Sequence, residues 1–331
     1  MSENGHPILE AKDLSKYFHS GGALSRAVVK AVQEATFQLY PSRVVALVGE
    51  SGSGKSTIVR MLARLYEPTG GDILYDGESV LKKRSRRALL KYRGHVQMIF
   101  QDPFSSLNPV HRVGYHLERS LRIHHKTRGG RKVVRAQVLD LLRQVALTPP
   151  EEYIGKYPHQ LSGGQRQRVA IARALAVEPQ VILADEPISM LDVSIRLDVL
   201  NLMEELRAEK NIAFLYVTHD IASARYFAND ILVMYAGHVV EKAGGEQLIQ
   251  NPKHPYTQLL LSAVPDPDRG LRTAEVEIKG EVPSLTALGM GCPFAPRCPQ
   301  VMERCREAMP PVTAYSDGSW VRCTLYEQDG R

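Results

Sequence analysis

The sequence predicts an α/β fold built around a parallel sheet, and three apolar segments support this prediction. Val44–Val48, Val181–Ala184 and Ile212–Val217 are short and continuously apolar, as expected of strands that are buried on both faces. A glycine-rich or polar sequence follows each of them. Ligands bind at the carboxyl ends of the strands in such sheets, so the residues after these segments form the candidate site.

The composition is that of a globular protein with a large core. The chain has 331 residues, of which 44% are hydrophobic and 24% are charged. Its longest apolar runs, such as Ile231–Ala236, are far shorter than the ~18 residues that a membrane-spanning helix needs. Residues 1–7 are polar and lack the apolar segment of a secretory signal. We therefore expect a cytosolic protein that performs any work at a membrane through partners.

Basic residues cluster at 82–93 and at 126–135, in a chain with a formal net charge of +6. Neither cluster has the interleaved aromatic pattern that stacks on nucleic-acid bases. A nucleic-acid surface and an attraction to anionic lipid both stay open as explanations, but a solvated helix face is the favoured one.

Two strands are expected ahead of the first apolar segment, at residues 8–18 and 28–39, with a turn at Gly21-Gly22 between them. The first strand ends in Tyr17 and Phe18. An aromatic ring at this place has two equally good explanations. It stacks on an adenine, or it packs in the core.

The stretch that follows Val44–Val48 is rich in glycine and leads into a helix that continues through Leu62. Its residues are Gly49, Glu50, Ser51, Gly52, Ser53, Gly54, Lys55, Ser56 and Thr57. A strand, a glycine-rich loop and a helix in this order predict a phosphate-binding loop, whose backbone N–H groups surround an anion at the positive end of the helix. Lys55 is expected to reach the β- and γ-phosphates, and Ser56 to ligate Mg²⁺.

Further strands are expected at residues 72–75 and 96–100, and the second of these ends at Gln101. Gln101 is placed to contact Mg²⁺ or an attacking water, although a lone glutamine is a weak signal. From residue 110 to about 160 the pattern is helical, with apolar residues at 3.6-residue spacing at Val134, Val138, Leu141, Leu142 and Val145. This insert between two strands indicates a helical subdomain.

The insert ends at Leu161-Ser162-Gly163-Gly164-Gln165, directly ahead of another helix. A serine and two glycines at a helix start offer N–H groups and a hydroxyl to an anion, or they form only a helix cap. Asp185 and Glu186 end the next buried strand; Asp185 fits a Mg²⁺ ligand, and Glu186 fits a group that orients or deprotonates the attacking water. His219 follows the third apolar segment and is a candidate γ-phosphate contact.

These motifs, in this order, resemble the ATP-binding subunits of ABC transporters over nearly the full length of the chain. The resemblance implies an ABC-type nucleotide-binding domain at 1–250: a RecA-like core, an antiparallel β subdomain and a helical subdomain at about 102–165. It also implies an ATPase that uses ATP and Mg²⁺ and closes as a head-to-tail dimer. The sequence Ser162–Gln165 of one subunit would then complete the nucleotide site of the other.

The resemblance also assigns individual positions. Tyr17 and Phe18 fall at the adenine-stacking position, and Asp192 falls at an aspartate of the nucleotide site in the sequence Ser189-Met190-Leu191-Asp192. The sequence departs from the family pattern at Ile188 and Met190, where Thr and Ala are usual. Because the acids and Asp192 are intact, we expect activity to survive, and we expect any effect of the two departures to fall on the packing of the dimer interface.

A narrower resemblance, to the ATPases of oligopeptide, dipeptide and nickel importers, rests on residues 101–109, on Asn251–Thr257 and on a cysteine-containing region at 251–331. It implies a second, different ATPase subunit, two membrane permeases and an extracytoplasmic binding protein, with this chain on the cytoplasmic face of the membrane. Some relatives import oligosaccharides, so the substrate stays open. The rival hypothesis is a soluble ABC ATPase that acts on nucleic acid or ribosomes; one phosphate loop and no sustained heptads favour transport.

All four cysteines lie near the C-terminus, at Cys292, Cys298, Cys305 and Cys323. A cytosolic setting disfavours disulfides, and clustering argues against four unrelated thiols. A metal site remains, although the gaps are wider than those of structural zinc sites and do not match the compact ferredoxin pattern. The resemblance to peptide-importer ATPases favours a [4Fe–4S] cluster, with Zn²⁺ as the alternative. Four nearby arginines are expected to offset the thiolate charge: Arg297, Arg304, Arg306 and Arg322.

Overall fold

The structure, a computed structural model, describes residues 5–20, 27–83, 85–102, 106–128, 130–262, 283–286 and 288–327. It divides into two compact units, each assembled from segments that are distant in sequence. The first unit consists of residues 1–9, 39–43 and 74–215, and the second of residues 10–38, 44–73 and 216–331. The predicted Gly21-Gly22 turn lies outside the described residues.

The strands expected from the apolar pattern are present, with ends shifted by one or two residues. The described strands are β1 (Leu9–Ser20), β2 (Ala27–Leu39), β3 (Val44–Val48), β4 (Gly70–Tyr75), β5 (Glu78–Ser79), β6 (Val96–Ile99), β7 (Val181–Asp185), β8 (Ala213–Thr218), β9 (Asp230–Tyr235), β10 (His238–Gly244), β11 (Thr313–Ala314) and β12 (Trp320–Val321).

The described helices are concentrated in the first unit and between the strands of the second. They are α1 (Lys55–Leu62), α2 (Arg86–His95), α3 (Val113–Ile123), α4 (Arg131–Gln144), α5 (Pro150–Ile154), α6 (Gly163–Leu175), α7 (Val193–Lys210), α8 (Ile221–Phe227), α9 (Gly245–Gln250), α10 (Pro255–Ser262) and α11 (Arg304–Glu307). Within the described ranges, no helix combines the length and the apolar character that crossing a bilayer requires.

The first unit contains a parallel strand pair and a group of helices. Strands β6 and β7 run parallel with Val96 opposite Val181, so their carboxyl ends lie at the same edge. Every residue of β7 is buried, as its apolar sequence predicts. Helices α3, α4 and α5 pack together, and the predicted apolar stripe of α4 faces inward, with Val134 and Val138 each 2% exposed.

The second unit contains β3 and the strands that follow residue 216. Strands β11, β12, β10, β9 and β3 are neighbours in that order. β3 and β9 are parallel, whereas β10 is antiparallel to both β9 and β12. The register of β12 places Val321 opposite Glu241, so the end of the chain extends the same sheet as the phosphate-loop strand. The C-terminal region and the phosphate loop are therefore parts of one compact unit.

Candidate active site

The glycine-rich loop takes a backbone path that only glycine permits at two of its positions. Gly49 has φ +154°, and a Cβ there would lie 2.1 Å from the carbonyl oxygen of Met234. Gly54 has φ +108°, and its Cβ would lie 2.2 Å from the carbonyl oxygen of Ala31. No side chain fits at either position without displacing backbone, so the loop is packed tightly against the neighbouring strands.

Lys55 stabilises this loop from inside. Its ammonium group, in a residue only 4% exposed, donates to the carbonyl oxygens of Gly49 at 2.7 Å and of Glu50 at 2.9 Å. Helix α1 begins at Lys55, and its N-cap, Gly54, supplies no side-chain cap. An anion at this helix start would therefore meet backbone N–H groups that no side chain has capped. Of the other loop residues, Ser51 and Gly52 are exposed, and Ser53 is buried.

Two of the predicted catalytic side chains meet in the first unit. The amide nitrogen of Gln101 donates to the carboxylate of Glu186 at 3.0 Å, across 85 residues of sequence. Glu186 has φ +46°, a left-handed conformation that costs energy for a residue with a side chain. Asp185, one residue earlier, is 2% exposed. Glu186 is only partly buried and is therefore the more accessible of the two acids. The end of β7 thus presents a buried acid followed by a strained, hydrogen-bonded one.

The predicted anion site at Ser162 is a capped helix start. The hydroxyl of Ser162 accepts a hydrogen bond from the N–H of Gln165 at 3.2 Å, and the Gln165 side chain accepts one from the N–H of Ser162 at 3.1 Å. These bonds use an acceptor site of the hydroxyl and leave its proton available to a further acceptor. Ser162 is exposed. Ser162 and Gln165 therefore form a helix cap, as one of the two interpretations predicted. The cap is also compatible with binding of an anion.

The remaining predicted residues lie at exposed or partly buried positions. Asp192 is exposed and is the N-cap residue of α7 in the first unit. His219 is exposed and follows β8 in the second unit. Phe18 packs edge-to-face on Tyr66, with ring centroids 5.6 Å apart, and the backbone N–H of Tyr17 donates to the hydroxyl of Thr69. The aromatic pair is thus partly engaged with the segment that follows α1.

Residues 32–189 match the protein family described as ABC transporter, and residues 240–305 match the family described as oligopeptide/dipeptide transporter, C-terminal region. The chain is also 41% identical over 319 residues to the dipeptide transport ATP-binding protein DppF of Haemophilus influenzae, a match that covers 96% of each chain. The chain belongs to the ABC transporter ATP-binding proteins.

Other comparisons agree with this assignment. This ABC protein is 41% identical over 328 residues to the oligopeptide transport ATP-binding protein AppF of Bacillus subtilis, with 98% of each chain covered. Among solved structures, it resembles the ATP-binding cassette MJ0796 in a dimeric post-hydrolysis state with ADP and Pi, at 30% identity and a TM-score of 0.63. That match covers 72% of this chain and 98% of MJ0796. The predicted ABC ATPase cassette fold is confirmed, and the chain is an ATPase of this class.

The cysteine-containing region gives a mixed result. All four cysteines line one small cavity of about 20 Å³, together with Phe294 and Thr324. Burial raises the pKa of Cys292 and of Cys323 to about 11, so both are protonated thiols at neutral pH. Within the part of the chain that the structure describes, no group of three or more His, Cys, Asp or Glu side chains is arranged to hold a metal ion. The comparisons and the ligand geometry therefore give no support to a [4Fe–4S] cluster.

The arginines of this region have other partners than the thiols. Arg297 forms an ion pair with Glu50 of the phosphate loop at 3.1 Å, and Arg304 forms one with Glu327 at 3.4 Å. For these two residues the expected offset of thiolate charge was wrong, because carboxylates already neutralise them. Sequence reasoning also missed Tyr256, whose hydroxyl accepts a hydrogen bond from the N–H of Glu50 at 2.9 Å.

Proposed function

We propose that this ABC ATPase is the ATP-hydrolysing subunit that powers an importer of oligopeptides or dipeptides. The carrying observation is the match of residues 240–305 to the oligopeptide/dipeptide transporter C-terminal region, in a chain that aligns end to end with peptide-transport ATPases. The same observation disfavours a soluble ATPase acting on nucleic acid or ribosomes. Oligosaccharides remain the alternative cargo to be tested.

We propose the following division of labour for hydrolysis. The phosphate loop Gly49–Thr57 binds the triphosphate through its backbone N–H groups, with Lys55 compensating its charge. Ser56 and Asp185 would hold Mg²⁺, which would supply charge neutralisation to the bound triphosphate. The loop geometry supports this part, because its glycine-only path and uncapped helix start suit an anion. Tyr17 or Phe18 stacks on the adenine.

Glu186 is the proposed group that orients and deprotonates the attacking water. Its support is its hydrogen bond from Gln101 and its position at the end of a buried strand. The bond from the Gln101 amide orients the carboxylate, and a carboxylate so placed can accept a hydrogen bond from the attacking water and then its proton. His219 is proposed to contact the γ-phosphate, and Gln101 to contact Mg²⁺ or the water and to sense their presence.

The working form is proposed to be a head-to-tail pair with a second ABC ATPase subunit, a different one in the peptide-importer group. Ser162, Gly163, Gly164, Gln165 and Asp192 would then face the nucleotide of the partner. The exposure of Ser162 and Asp192 supports this, as does an exposed apolar group next to Asp192 in which Met190 is 53% and Val193 is 79% exposed. The buried Ile188, by contrast, belongs to the core of this chain, with 4% exposure.

Two membrane permeases and an extracytoplasmic binding protein complete the proposed importer, with this chain bound peripherally at the cytoplasmic face. The proposed docking groove is in the helical subdomain at about 102–165, within an ABC domain at 1–250. A surface pocket there is lined by Val110 and Tyr115, which are 69% and 46% exposed. Such exposed apolar side chains suit helices of a membrane subunit. Phe104, at the predicted root of this groove, lies outside the described residues.

We further propose that Cys292, Cys298, Cys305 and Cys323, in the C-terminal region at 251–331, form a metal-binding site. The support is that all four line one cavity. The described thiols are not arranged to hold a metal ion, so Zn²⁺ as well as a [4Fe–4S] cluster would require them to move. Binding of either would release the thiol protons. Metal analysis and the visible spectrum of anaerobically purified protein distinguish the two.

The function is tested by uptake in cells that lack this chain. Labelled dipeptides, oligopeptides and an oligosaccharide are offered to cells that express either the wild-type chain or the Lys55→Ala variant. The variant protein should be produced normally but should be unable to power transport with ATP. Peptide uptake restored by the wild type alone supports the proposal. If the wild type restores uptake of the oligosaccharide but not of peptides, the proposed peptide cargo is wrong. If uptake is the same with the wild type and with Lys55→Ala, the proposed transport function is wrong.

A further inference from the structure

The phosphate loop of this chain is contacted at one residue, Glu50, by two separate parts of the C-terminal region. The backbone N–H of Glu50 donates to the hydroxyl of Tyr256 at 2.9 Å. Nη1 of Arg297 lies 3.1 and 3.2 Å from the two carboxylate oxygens of Glu50 and 3.2 Å from the hydroxyl of Tyr235. One contact holds the backbone of the loop and the other holds its side chain.

The ion pair is largely removed from water. The side chain of Arg297 is 7% exposed and that of Glu50 is 27% exposed. An ion pair of this kind is costly to break on one side, because the remaining charge stays partly buried without its partner. The pair therefore holds the carboxylate of Glu50 in one orientation, whereas an unpaired surface glutamate would sample several rotamers.

An aromatic cluster supports both contacts from below. The guanidinium of Arg297 lies 5.8 Å from the ring of Tyr235 and 5.9 Å from that of Phe294. The ring of Tyr256 packs on Tyr235 with centroids 4.5 Å apart, and Tyr235, Tyr256 and Phe294 are each at most 1% exposed. Because these rings are buried and in mutual contact, Arg297 and Tyr256 have little freedom to move.

Charge explains why such a support is useful at this place. The loop is built to receive a polyanion, yet its second residue is a glutamate whose carboxylate would repel the phosphates. Pairing with a guanidinium cancels that charge and binds both carboxylate oxygens. Without Arg297, the same carboxylate would face the phosphates uncompensated.

We propose that Arg297 and Tyr256 are positioning residues of the nucleotide site: Arg297 neutralises and orients the Glu50 carboxylate, and Tyr256 fixes the loop backbone at the same residue. The C-terminal region is thereby part of the ATP-binding apparatus. This inference rests on the proposed binding of ATP at Gly49–Thr57. It assigns no contact between Arg297 or Tyr256 and the nucleotide itself.

The test is a double-mutant cycle read out as the Kd for Mg-ATP, together with kcat and KM for hydrolysis. Arg297→Ala should raise Kd and KM by about tenfold to a hundredfold, as expected for a lost charged hydrogen bond, with a smaller change in kcat. Glu50→Gln supplies the other single-variant corner of the cycle, and it too should raise Kd, because it leaves the buried Arg297 guanidinium without its carboxylate partner. The double variant Arg297→Ala/Glu50→Gln should recover most of the lost affinity, because the uncompensated charge is gone.

Three further variants separate positioning from general stability. Arg297→Lys keeps the charge and should rescue part of the affinity, whereas Tyr256→Phe keeps the packed ring and should raise Kd only severalfold. Arg306→Ala, an exposed arginine of the same region, is the matched control and should leave Kd unchanged. The thermal midpoint of each variant is measured alongside, and Arg297→Lys and Tyr256→Phe carry the test if Arg297→Ala does not fold.

The outcomes discriminate between the two levels of the argument. A wild-type protein that neither binds nor hydrolyses ATP would overturn the proposed function. Normal ATP affinity in Arg297→Ala, in a wild-type background that binds ATP, would overturn this inference alone. A loss of affinity that Glu50→Gln does not relieve would also overturn it, since the arginine would then act through something other than the carboxylate.

Discussion

Replacing Glu186 by Gln removes one ionisable proton acceptor and almost nothing else. The amide has the shape of the carboxylate, and its oxygen can still accept the hydrogen bond that Gln101 donates at 3.0 Å. The backbone of Glu186 is already in the left-handed region at φ +46°, and the substitution does not change the cost of that conformation. The variant should therefore keep its fold and its affinity for ATP.

Hydrolysis should fall much further than binding. Loss of a general base typically lowers the rate by about 10²–10⁴, which corresponds to roughly 3 to 5 kcal/mol in the activation barrier. The assay is phosphate release at saturating Mg-ATP, with Kd for ATP measured in parallel. Glu209→Gln, at an exposed position of α7, is the matched control and should hydrolyse at the wild-type rate.

Two results would refute this reasoning. Turnover of Glu186→Gln within about threefold of wild type would show that the carboxylate is not the base. An equal loss of ATP affinity and of hydrolysis would instead show that Glu186 contributes to nucleotide binding. The hydrogen bond from Gln101 would then shape the binding site and would have no part in activating the water.

Three other predictions follow from the same geometry. Lys55→Ala should raise the Kd for ATP at least about tenfold in equilibrium binding, since a buried cation facing the phosphates is lost. Gly164→Ala should lower the free energy of unfolding by about 1 to 3 kcal/mol in denaturant titrations, because its Cβ would lie 2.6 Å from Cγ2 of Ile195. Gly163→Ala, at an ordinary 3.5 Å from Leu191, should not. Burial lowers the pKa of His238 to about 4, so unfolding takes up a proton below the ordinary pKa near 6.5. Stability should therefore fall between pH 6.5 and 4 by up to roughly 1.4 kcal/mol per pH unit, and His238→Asn should reduce that slope.

The parts of the site that are contiguous in sequence were predictable from it. The phosphate loop, the Ser162 helix start and the acid pair can each be recognised from a few consecutive residues, because a strand end or a helix start depends mainly on its neighbours in sequence. The contact between Gln101 and Glu186 was within reach too. Both follow parallel strands, and the in-register pairing of β6 with β7 carries their ends to one edge.

The support of the phosphate loop was not predictable in this way. Glu50 and Arg297 are 247 residues apart, and nothing near either residue indicates the other. Their meeting depends on buried rings from three separate segments, at Tyr235, Tyr256 and Phe294. Arginines beside cysteines suggested charge compensation for thiolates, because sequence proximity was the only available guide. Tertiary packing decided otherwise.

Phe294 connects the two features of the C-terminal region that the sequence left apart. It lines the small cavity with all four cysteines, and its ring also lies beneath the guanidinium of Arg297. Phe294 lies two residues after Cys292, and Arg297 directly precedes Cys298. A packed interior transmits displacement because it has little free volume to absorb it. A change that spreads the thiols is therefore expected to shift the Phe294 ring, and the Arg297 guanidinium above that ring pairs with the carboxylate of Glu50.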